Sequence, residues 1–512
     1  MFEELQTFSQ NLLEGIPVLT LMIFLPLLGV GLIFLFGRSM KLIRTISLLF
    51  SGIPLILGIL LFVAFSWGNA LPAGETFADP QFYEEYEWIP SLGVSYTVGV
   101  DGISLPLLLL TPLLTFLAVL FSWDVKRRPK EYFGLILLMQ VGITGVFVLL
   151  DYLIFYIFWE IVLIPMYFLI GIWGGPNKDY AAIKFFIYTH VASLVMLLAI
   201  MAIYFNAGAT TFNMIELGES APGFSKAFQI IAFGALLFGF GVKMPMVPFH
   251  TWLPDAHVEA PTAGSVLLAG LLLKMGGYGL IRVAIPTLPE GASYLAPLMV
   301  VIGVVSILYA AIVCLAQKDL KKMVAYSSVS HMGFVMVGFA TLGQVGIVAG
   351  VFMMFAHGLV TAVLFMTCGV VQHHCGTRMI HKLGGISERM PKLAALMTTG
   401  FLASLGLPGL VIFAAEFMIF WTIFNNWGLW LFLPILSVAI TAAYYLWALQ
   451  RSMFGPLTEE IETKQIDDAN WFESVPMAVL IALIALFGIF PAIILHRISD
   501  AVTIILRSFG VG

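Results

Sequence analysis

The run Lys243-Met-Pro-Met-Val-Pro248 decides the class of fold, because it ends an apolar stretch that begins near residue 226. Each proline removes a backbone donor and interrupts a helix, so the run predicts unwound backbone directly after an enclosed lysine. Unwound backbone at membrane depth is tolerated only where other protein covers it or where it lines a cavity. The run therefore predicts a broken membrane helix. A kink that serves only packing is the alternative, since Pro112 lies in a span without a charge.

The composition of the chain also indicates a membrane protein. The chain has 512 residues, of which 60% are hydrophobic and 10% charged, and its mean hydropathy is +1.01. So few charges cannot cover a soluble protein of this size, so we expect an all-α polytopic membrane protein whose main solvent is the lipid bilayer. A net charge of -5 does not favour a nucleic-acid partner. No Lys or Arg precedes Arg38, so the first apolar run is predicted to be a membrane helix, not a signal peptide.

Apolar runs of about 18 or more residues predict about 14 transmembrane helices, and one long run must turn sharply at Asp151 to form two of them. Helices four to eight and nine to thirteen form two sets of five, and the fourth helix of each set is broken, at 243–248 and at 406–409. Sets with an odd number of helices enter the membrane from opposite sides, as inverted repeats do. The predicted domains are 1–131, with three helices and an external loop at 66–100, then the two five-helix repeats at 132–284 and 294–452, and a C-terminal helix and tail at 453–512.

Basic residues concentrate in alternate connections, at 38–44, 126–130, 318–322 and 378–392. The loop at 66–100 contains five acidic residues and no basic one. Because basic connections stay on the cytoplasmic side of a membrane, we expect both termini on the outer side.

Ionisable side chains lie well inside the predicted spans: Glu160, Lys243, Lys274, His331, His357 and Glu416. A charge at the bilayer centre costs about 2.5–3.5 kcal/mol, so several are not kept for packing unless they pair or face water. Static salt bridges and satisfied core histidines are the simpler alternative, but two carboxylates and two lysines together favour an ion pathway. All six lie at similar distances from the ends of their predicted spans. At a helical rise of about 1.5 Å per residue this places them at roughly one depth, so the array should run parallel to the membrane.

These side chains are suited to proton transfer. A low-dielectric site disfavours the charged form of a lysine, and a nearby glutamate restores that form. Glu160 near Lys243 would therefore give two states: Lys243 holds a proton when the two are paired and can release it when they are separated. Histidine titrates near neutrality and can relay protons. His190 is a weaker seventh candidate. Lys184 is expected either to extend its charge to the membrane surface or to neutralise Glu160.

Other kinds of site have weaker support. No phosphate-binding glycine loop occurs. His373-His374-Cys375 with His381 could be taken for metal ligands, but their spacing is not that of zinc sites, and we expect no metal there. Any driving reaction should then take place outside this chain.

Five stretches of the sequence match a known family: the runs 158–167, 242–261 and 273–279, then Ala325-Tyr-Ser-Ser-Val-Ser-His331-Met-Gly333, and Leu407-Pro-Gly409 followed by Glu416. Together they carry a resemblance to the antiporter-like proton-pumping subunits of respiratory complex I. It implies a fold of fourteen helices, an input pair at Glu160 and Lys243, a central Lys274, and a relay at His331 and His357. The glutamate at position 416 indicates a resemblance to the M subunits, which are the counterparts of mitochondrial subunit 4. The related L subunits have a lysine at that position.

The resemblance further implies no cofactor on this chain, with flavin and iron–sulfur clusters in partner subunits, and neighbouring antiporter-like subunits on both sides. The expected location is the cytoplasmic membrane of a bacterial or archaeal cell. A subunit of an Mrp-type cation/proton antiporter, a membrane-bound hydrogenase subunit and a purely structural scaffold are the alternatives. NADH, reduced ferredoxin and a reduced deazaflavin stay open as electron donors.

Overall fold

A surface helix, two long apolar helices and a β-hairpin form the N-terminal part of the chain. The computed structural model describes residues 2–65, 80–220, 223–507 and 509. The elements here are α1 (Phe2–Leu13), α2 (Val18–Phe36), α3 (Met40–Ala64), β1 (Gln81–Ile89) and β2 (Val94–Val100). The two strands pair antiparallel, and Gly93 takes a φ of +66° in the turn between them. The predicted external loop at 66–100 is therefore a hairpin over 81–100, and 66–79 lie outside the described residues.

The hairpin is attached to the membrane helices through Glu84. Its carboxylate accepts hydrogen bonds from the backbone N–H of Leu19, at 2.8 Å, and from the Thr20 hydroxyl, at 2.5 Å. These groups are at the N-terminus of α2, where free N–H groups and the helix dipole favour an anion.

The next elements are α4 (Ser104–Phe121), α5 (Pro129–Val148), α6 (Tyr152–Ile161), α7 (Leu163–Trp173), α8 (Lys178–Asn206), α9 (Met214–Glu219), α10 (Lys226–Lys243) and α11 (Trp252–Glu259). The sharp turn expected at Asp151 is present, and its carboxylate caps α6 by accepting from the N–H groups of Leu153 and Ile154 at 2.9 and 3.0 Å. Burial raises the pKa of Asp151 to about 6. The break after Lys243 is also confirmed, since 244–251 separate α10 from α11.

One continuous helix, Thr262–Thr287, follows. It consists of α12 (Thr262–Leu267), α13 (Leu273–Gly279) and α14 (Ile285–Thr287), joined by two π-helical turns at Leu268–Leu272 and Leu280–Ala284. Together with α17 (Gln344–Cys375) it is buried by other helices along its whole apolar window. These two helices form the centre of the bundle.

The remaining helices are α15 (Pro289–Leu315), α16 (Leu320–Ala340), α18 (Ile386–Arg389), α19 (Pro391–Ser404), α20 (Val411–Trp427), α21 (Phe432–Leu449), α22 (Glu459–Glu462), α23 (Trp471–Ile489) and α24 (Ala492–Arg507). The second predicted break lies between α19 and α20, where Gly406 and Gly409 have φ of +80° and +89°. Such angles favour glycine because it has no Cβ.

Within the described residues, 13 segments are long and apolar enough to cross a membrane. One of them, Val411–Phe454, contains both α20 and α21, and α19 is shorter than the others. The polytopic helical fold is thus confirmed, with the hairpin as its exception. The inverted relation of the two five-helix sets, the domain bounds and the orientation in the membrane stay predictions.

Candidate functional site

Glu160 is held in a charged cluster at the side of the bundle. Pro165 cannot donate a hydrogen bond to the carbonyl of Ile161, so α6 ends beside Glu160. Its carboxylate lies 2.8 Å from Nδ1 of His190 on α8 and also accepts a hydrogen bond from the Ser193 hydroxyl. The side chains of Glu160 and His190 are 23% and 38% exposed. His190, the weaker candidate from the sequence, is therefore a direct partner of Glu160.

Lys243 is buried at the end of α10, where α10 gives way to the break. Its Nζ has no hydrogen-bond partner and lies 5.0 Å from the centre of the Trp159 ring. Glu160 and Lys243, expected to act as a pair, form no direct ion pair in this structure. The Glu160 carboxylate bonds to His190 and Ser193 instead. A cation over the face of a tryptophan is attracted by the ring quadrupole, which accounts for the position of the lysine.

Lys184 pairs with an acid other than Glu160. Its Nζ lies 2.7 Å from the Asp255 carboxylate on α11, so it does not neutralise Glu160 by direct contact, and both side chains of the pair are partly exposed. Asp255 stands in the run 242–261 that carries the resemblance, twelve positions after Lys243 in the printed sequence. Only the packing of α8 on α11 shows which of the nearby acids Lys184 meets.

Lys274 and His357 meet at the centre of the bundle, and neither is exposed. Nζ of Lys274 lies 2.7 Å from Nδ1 of His357 and also donates to the carbonyl of Ala269. That carbonyl belongs to the first π-helical turn, and π-turns frequently occur at functional sites. When Lys274 is an ammonium, which only donates, Nδ1 of His357 accepts and its Nε2 carries the hydrogen.

Glycine allows the two central helices to approach this closely. A Cβ at Gly358, next to His357, would lie 3.0 Å from the carbonyl oxygen of Gly270. A Cβ at Gly276 would lie 2.8 Å from the Met244 nitrogen, so the helix of Lys274 also rests on the break after Lys243. Small residues permit such backbone contact between membrane helices.

His331, on α16, continues the array. Its ring centre is 5.3 Å from that of His357, and its Nε2 donates to the carbonyl of Ser404 at 3.1 Å. The Ser404 hydroxyl is bonded to the Tyr445 hydroxyl at 2.7 Å. This row of groups therefore ends at the last residue of α19, where the second break begins.

Glu416 lies at the same break. It is 6% exposed, and its carboxylate is so close to Gly406 that a Cβ at Gly406 would collide with it. The start of the second break thus carries both the Ser404 carbonyl bonded to His331 and Gly406, which makes room for the Glu416 carboxylate.

A further buried group was not selected from the sequence. His257 on α11 is fully buried, stacks on Phe365 with ring centres 4.3 Å apart, and has no hydrogen bond at either nitrogen. Lys321 is also buried and donates to the carbonyl of Ala260 at 2.5 Å. Lys321 lines a cavity of about 730 Å³ that we name the inner cavity, because basic connections predicted to be inside border it. His257 lies in the run 242–261, shortly after the predicted break. An ionisable side chain in that position was the signal that could have identified it from the sequence.

These contacts define two separate groups. The first is Glu160 with His190 and Ser193, and the second is Lys274 with His357, His331 and Ser404. Lys243 lies beside the break that touches the helix of Lys274, but its Nζ bonds to neither group. The arrangement can hold a proton in either group, while passage between them requires water or movement of Lys243.

Comparisons with known proteins agree with this architecture. The model of the family described as NADH:quinone oxidoreductase/Mrp antiporter, TM, matches residues 150–441. F(420)H(2) dehydrogenase subunit M of Methanosarcina mazei is 42% identical over 97% of this chain and 100% of that protein. NADH-quinone oxidoreductase subunit M of Rickettsia bellii is 39% identical over 96% of this chain and 99% of its own length.

Solved structures have the same fold. A chain of respiratory complex I from Thermus thermophilus superposes with a TM-score of 0.85, at 30% identity, over 95% of this chain and 99% of that chain. A chain of the Mrp complex from a Dietzia species gives a TM-score of 0.83 at 20% identity over 96% and 99%, which concerns the fold alone. This chain therefore belongs to the family of NADH:quinone oxidoreductase and Mrp antiporter membrane proteins, and its relatives of nearly equal length include M subunits.

Proposed function

We propose that this chain is a proton-translocating membrane subunit of a complex I-like quinone oxidoreductase. Protons move along Glu160, Lys243, Lys274, His357, His331 and Glu416. The contact that carries the proposal is the one between Lys274 Nζ and His357 Nδ1, 2.7 Å apart on two fully buried helices. A lysine in such a place is expensive, and a function that needs its proton explains why it is there.

The first transfer step is from Lys274 to His357. The ammonium of Lys274 gives a proton to Nδ1 of His357, which leaves a neutral amine and an imidazolium. Since His357 Nε2 makes no hydrogen bond to the protein, its hydrogen is the one that can leave. Loss of that proton from Nε2 returns His357 to a neutral ring.

The second step delivers the proton to His331. Nε2 of His331 already donates to Ser404, so Nδ1 is the nitrogen with a free lone pair, and it has no hydrogen-bond partner. The donor at His357 and the acceptor at His331 are thus the two unbonded nitrogens of neighbouring rings. A single water between them is sufficient for transfer.

Lys243 is proposed to move between two states. Near Glu160 its charged form is stabilised, and nearer the Lys274 helix it can release a proton. Moving one charge against 100 mV needs about 2.3 kcal/mol, so an external source of energy is required. Partner subunits with flavin and iron–sulfur clusters are proposed to supply it, with antiporter-like subunits on both sides of this chain.

The arrangement in the membrane is part of the proposal. The breaks at 244–251 and 405–410 each lie beside a buried ionisable residue, which supports two inverted repeats at 132–284 and 294–452. The basic connections support a cytoplasmic membrane of a bacterial or archaeal cell with both termini outside.

Substitution of Lys243 in the assembled complex tests the proposal. Lys243→Ala and Glu160→Ala should each reduce proton translocation into vesicles by about 10²-fold, the lower range for a group that transfers protons. Lys226→Ala is the matched control, because Lys226 begins the same helix and is exposed. Unchanged translocation in Lys243→Ala would reject the pathway and favour a scaffold.

An Mrp-type antiporter subunit is the second candidate, since the matching family includes both kinds of protein. Purification of the intact assembly distinguishes them. Co-purification of flavin and iron–sulfur subunits is expected for the proposed function, whereas an assembly without redox subunits would favour the antiporter.

A further inference from the structure

Three possible metal ligands meet where the C-terminus of α17 packs near the N-terminus of α23. Nδ1 of His373 lies 3.1 Å from one carboxylate oxygen of Glu473, and Nε2 of His374 lies 3.0 Å from the other. The three ligand atoms all lie within 4.8 Å of one another. The sequence grouped these histidines with Cys375 and His381 instead, because Glu473 is about a hundred positions away.

Glu473 is held in position by its own helix. It is the third residue of α23, and its carboxylate accepts from the backbone N–H of Asn470 at 2.9 Å in a capping box. Its side chain is 4% exposed and that of His374 is 9% exposed, while His373 is open to solvent at 57%. The cluster thus has two enclosed ligands and one side from which an ion can enter.

The distances fit a zinc-like ion. Zinc binds histidine nitrogen and carboxylate oxygen at about 2.0–2.2 Å in a tetrahedron, which places neighbouring ligand atoms about 3.3 Å apart. Two histidines and one glutamate, with water as the fourth ligand, form a recognised open zinc site. A small movement of the rings is sufficient to place an ion between atoms that are now 3.0 and 3.1 Å apart.

The cluster borders the inner cavity. His373 and Glu473 line that cavity together with Lys321, Glu259 and Arg378. An ion held there would add positive charge at its edge and would tie α23 to α17, the helix that carries His357.

We propose that His373, His374 and Glu473 bind a divalent transition cation of the zinc class, and that the bound ion restricts access to the inner cavity. The second half rests on the proposed proton-translocating function, whereas the binding site does not. Binding and inhibition are therefore measured separately.

Equilibrium dialysis of the purified complex against Zn²⁺ tests the site. His374→Ala and Glu473→Gln should each lose one tightly bound zinc per complex. Glutamine retains the capping box, so Glu473→Gln keeps the start of α23 intact. His381→Ala, in the connection that follows α17 and outside the cluster, should bind as many zinc ions as the unaltered complex. Equal zinc content in all four proteins would overturn the site.

Inhibition of translocation by Zn²⁺ tests the role of the site. The concentration for half inhibition should rise at least about tenfold in His374→Ala and Glu473→Gln, the lower range for disturbed metal sites. Zinc binding that is lost while inhibition stays unchanged would overturn the role at the cavity. If Lys243→Ala leaves translocation intact while zinc binding still depends on His374, the proposed function fails and the metal site stands.

Discussion

The Glu160 group and the Lys274 group contain similar side chains in opposite environments. Glu160 and His190 form a hydrogen-bonded pair that is partly exposed, whereas Lys274 and His357 are completely enclosed. In the described residues no carboxylate forms an ion pair with Lys274, whose Nζ contacts a histidine and a carbonyl. The Glu160 carboxylate is therefore stabilised by hydrogen bonds and by nearby solvent. A positive charge on Lys274 has no carboxylate partner, so the proton must leave or the charge must remain buried at an unfavourable free energy.

This difference follows from what each environment allows. Near water or a partner surface an ion pair is worth little, about 0–1 kcal/mol, and can open and close easily. In the centre of the bundle a hydrogen-bonded row without a carboxylate avoids the penalty of burying two ions. The first group is thus suited to receiving a charge and the second to passing a proton onward.

The largest expected effect comes from breaking the buried group. His357→Ala removes the acceptor of Lys274 and should reduce proton translocation by about 10²-fold. It also leaves a buried ammonium with one carbonyl partner, which should lower stability by about 3 kcal/mol. Translocation by reconstituted complex and thermal unfolding of the complex measure the two effects.

Gly406→Ala perturbs the far end of the buried row. The new methyl group would collide with the Glu416 carboxylate and displace it. We expect translocation to fall about tenfold, which corresponds to about 1.4 kcal/mol, the size of one typical hydrogen bond. Gly409→Ala is the matched control, since Gly409 has a similar positive φ of +89° but no atom within 4 Å of its Cβ position. Equal losses in both variants would assign the effect to backbone strain instead of to Glu416.

His190→Ala breaks the exposed group and should have a smaller effect. Glu160 keeps its hydrogen bond from Ser193 and its access to solvent, so we expect translocation to fall by about threefold, equivalent to the loss of roughly one surface ion pair. The same vesicle measurement applies. A loss as large as that of His357→Ala would contradict the distinction between the two groups.

The smallest effect is expected for Lys184. A double-mutant cycle with Lys184→Ala and Asp255→Ala should give a coupling energy of about 0.5–1 kcal/mol in thermal unfolding, because both side chains are partly exposed. A cycle of Lys184→Ala with Glu160→Ala should give a coupling near zero. Coupling to Glu160 in place of Asp255 would restore the alternative considered from the sequence.

Much of the fold could be predicted from periodicity and composition. The apolar runs, the turn at Asp151 and the breaks after Lys243 and Gly406 are present in the structure. Strands β1 and β2 lie where the resemblance implies a hairpin-like external segment. Helix α24 was not predicted, because its segment was assigned only as a tail. Its amphipathic pattern is a weaker signal than a long apolar run.

The sequence by itself determined that this is a helical membrane protein with ionisable residues inside its apolar helices, because the long apolar runs predict the helices and the stranded charges stand out within them. Only the tertiary structure decided the partners: His190 for Glu160, Asp255 for Lys184, His357 for Lys274 and Glu473 for the two inner histidines. These partners are 30 to 100 positions apart along the chain. Hydrogen bonds act over about 3 Å, so they depend on which helices pack together and on where glycine lets them touch.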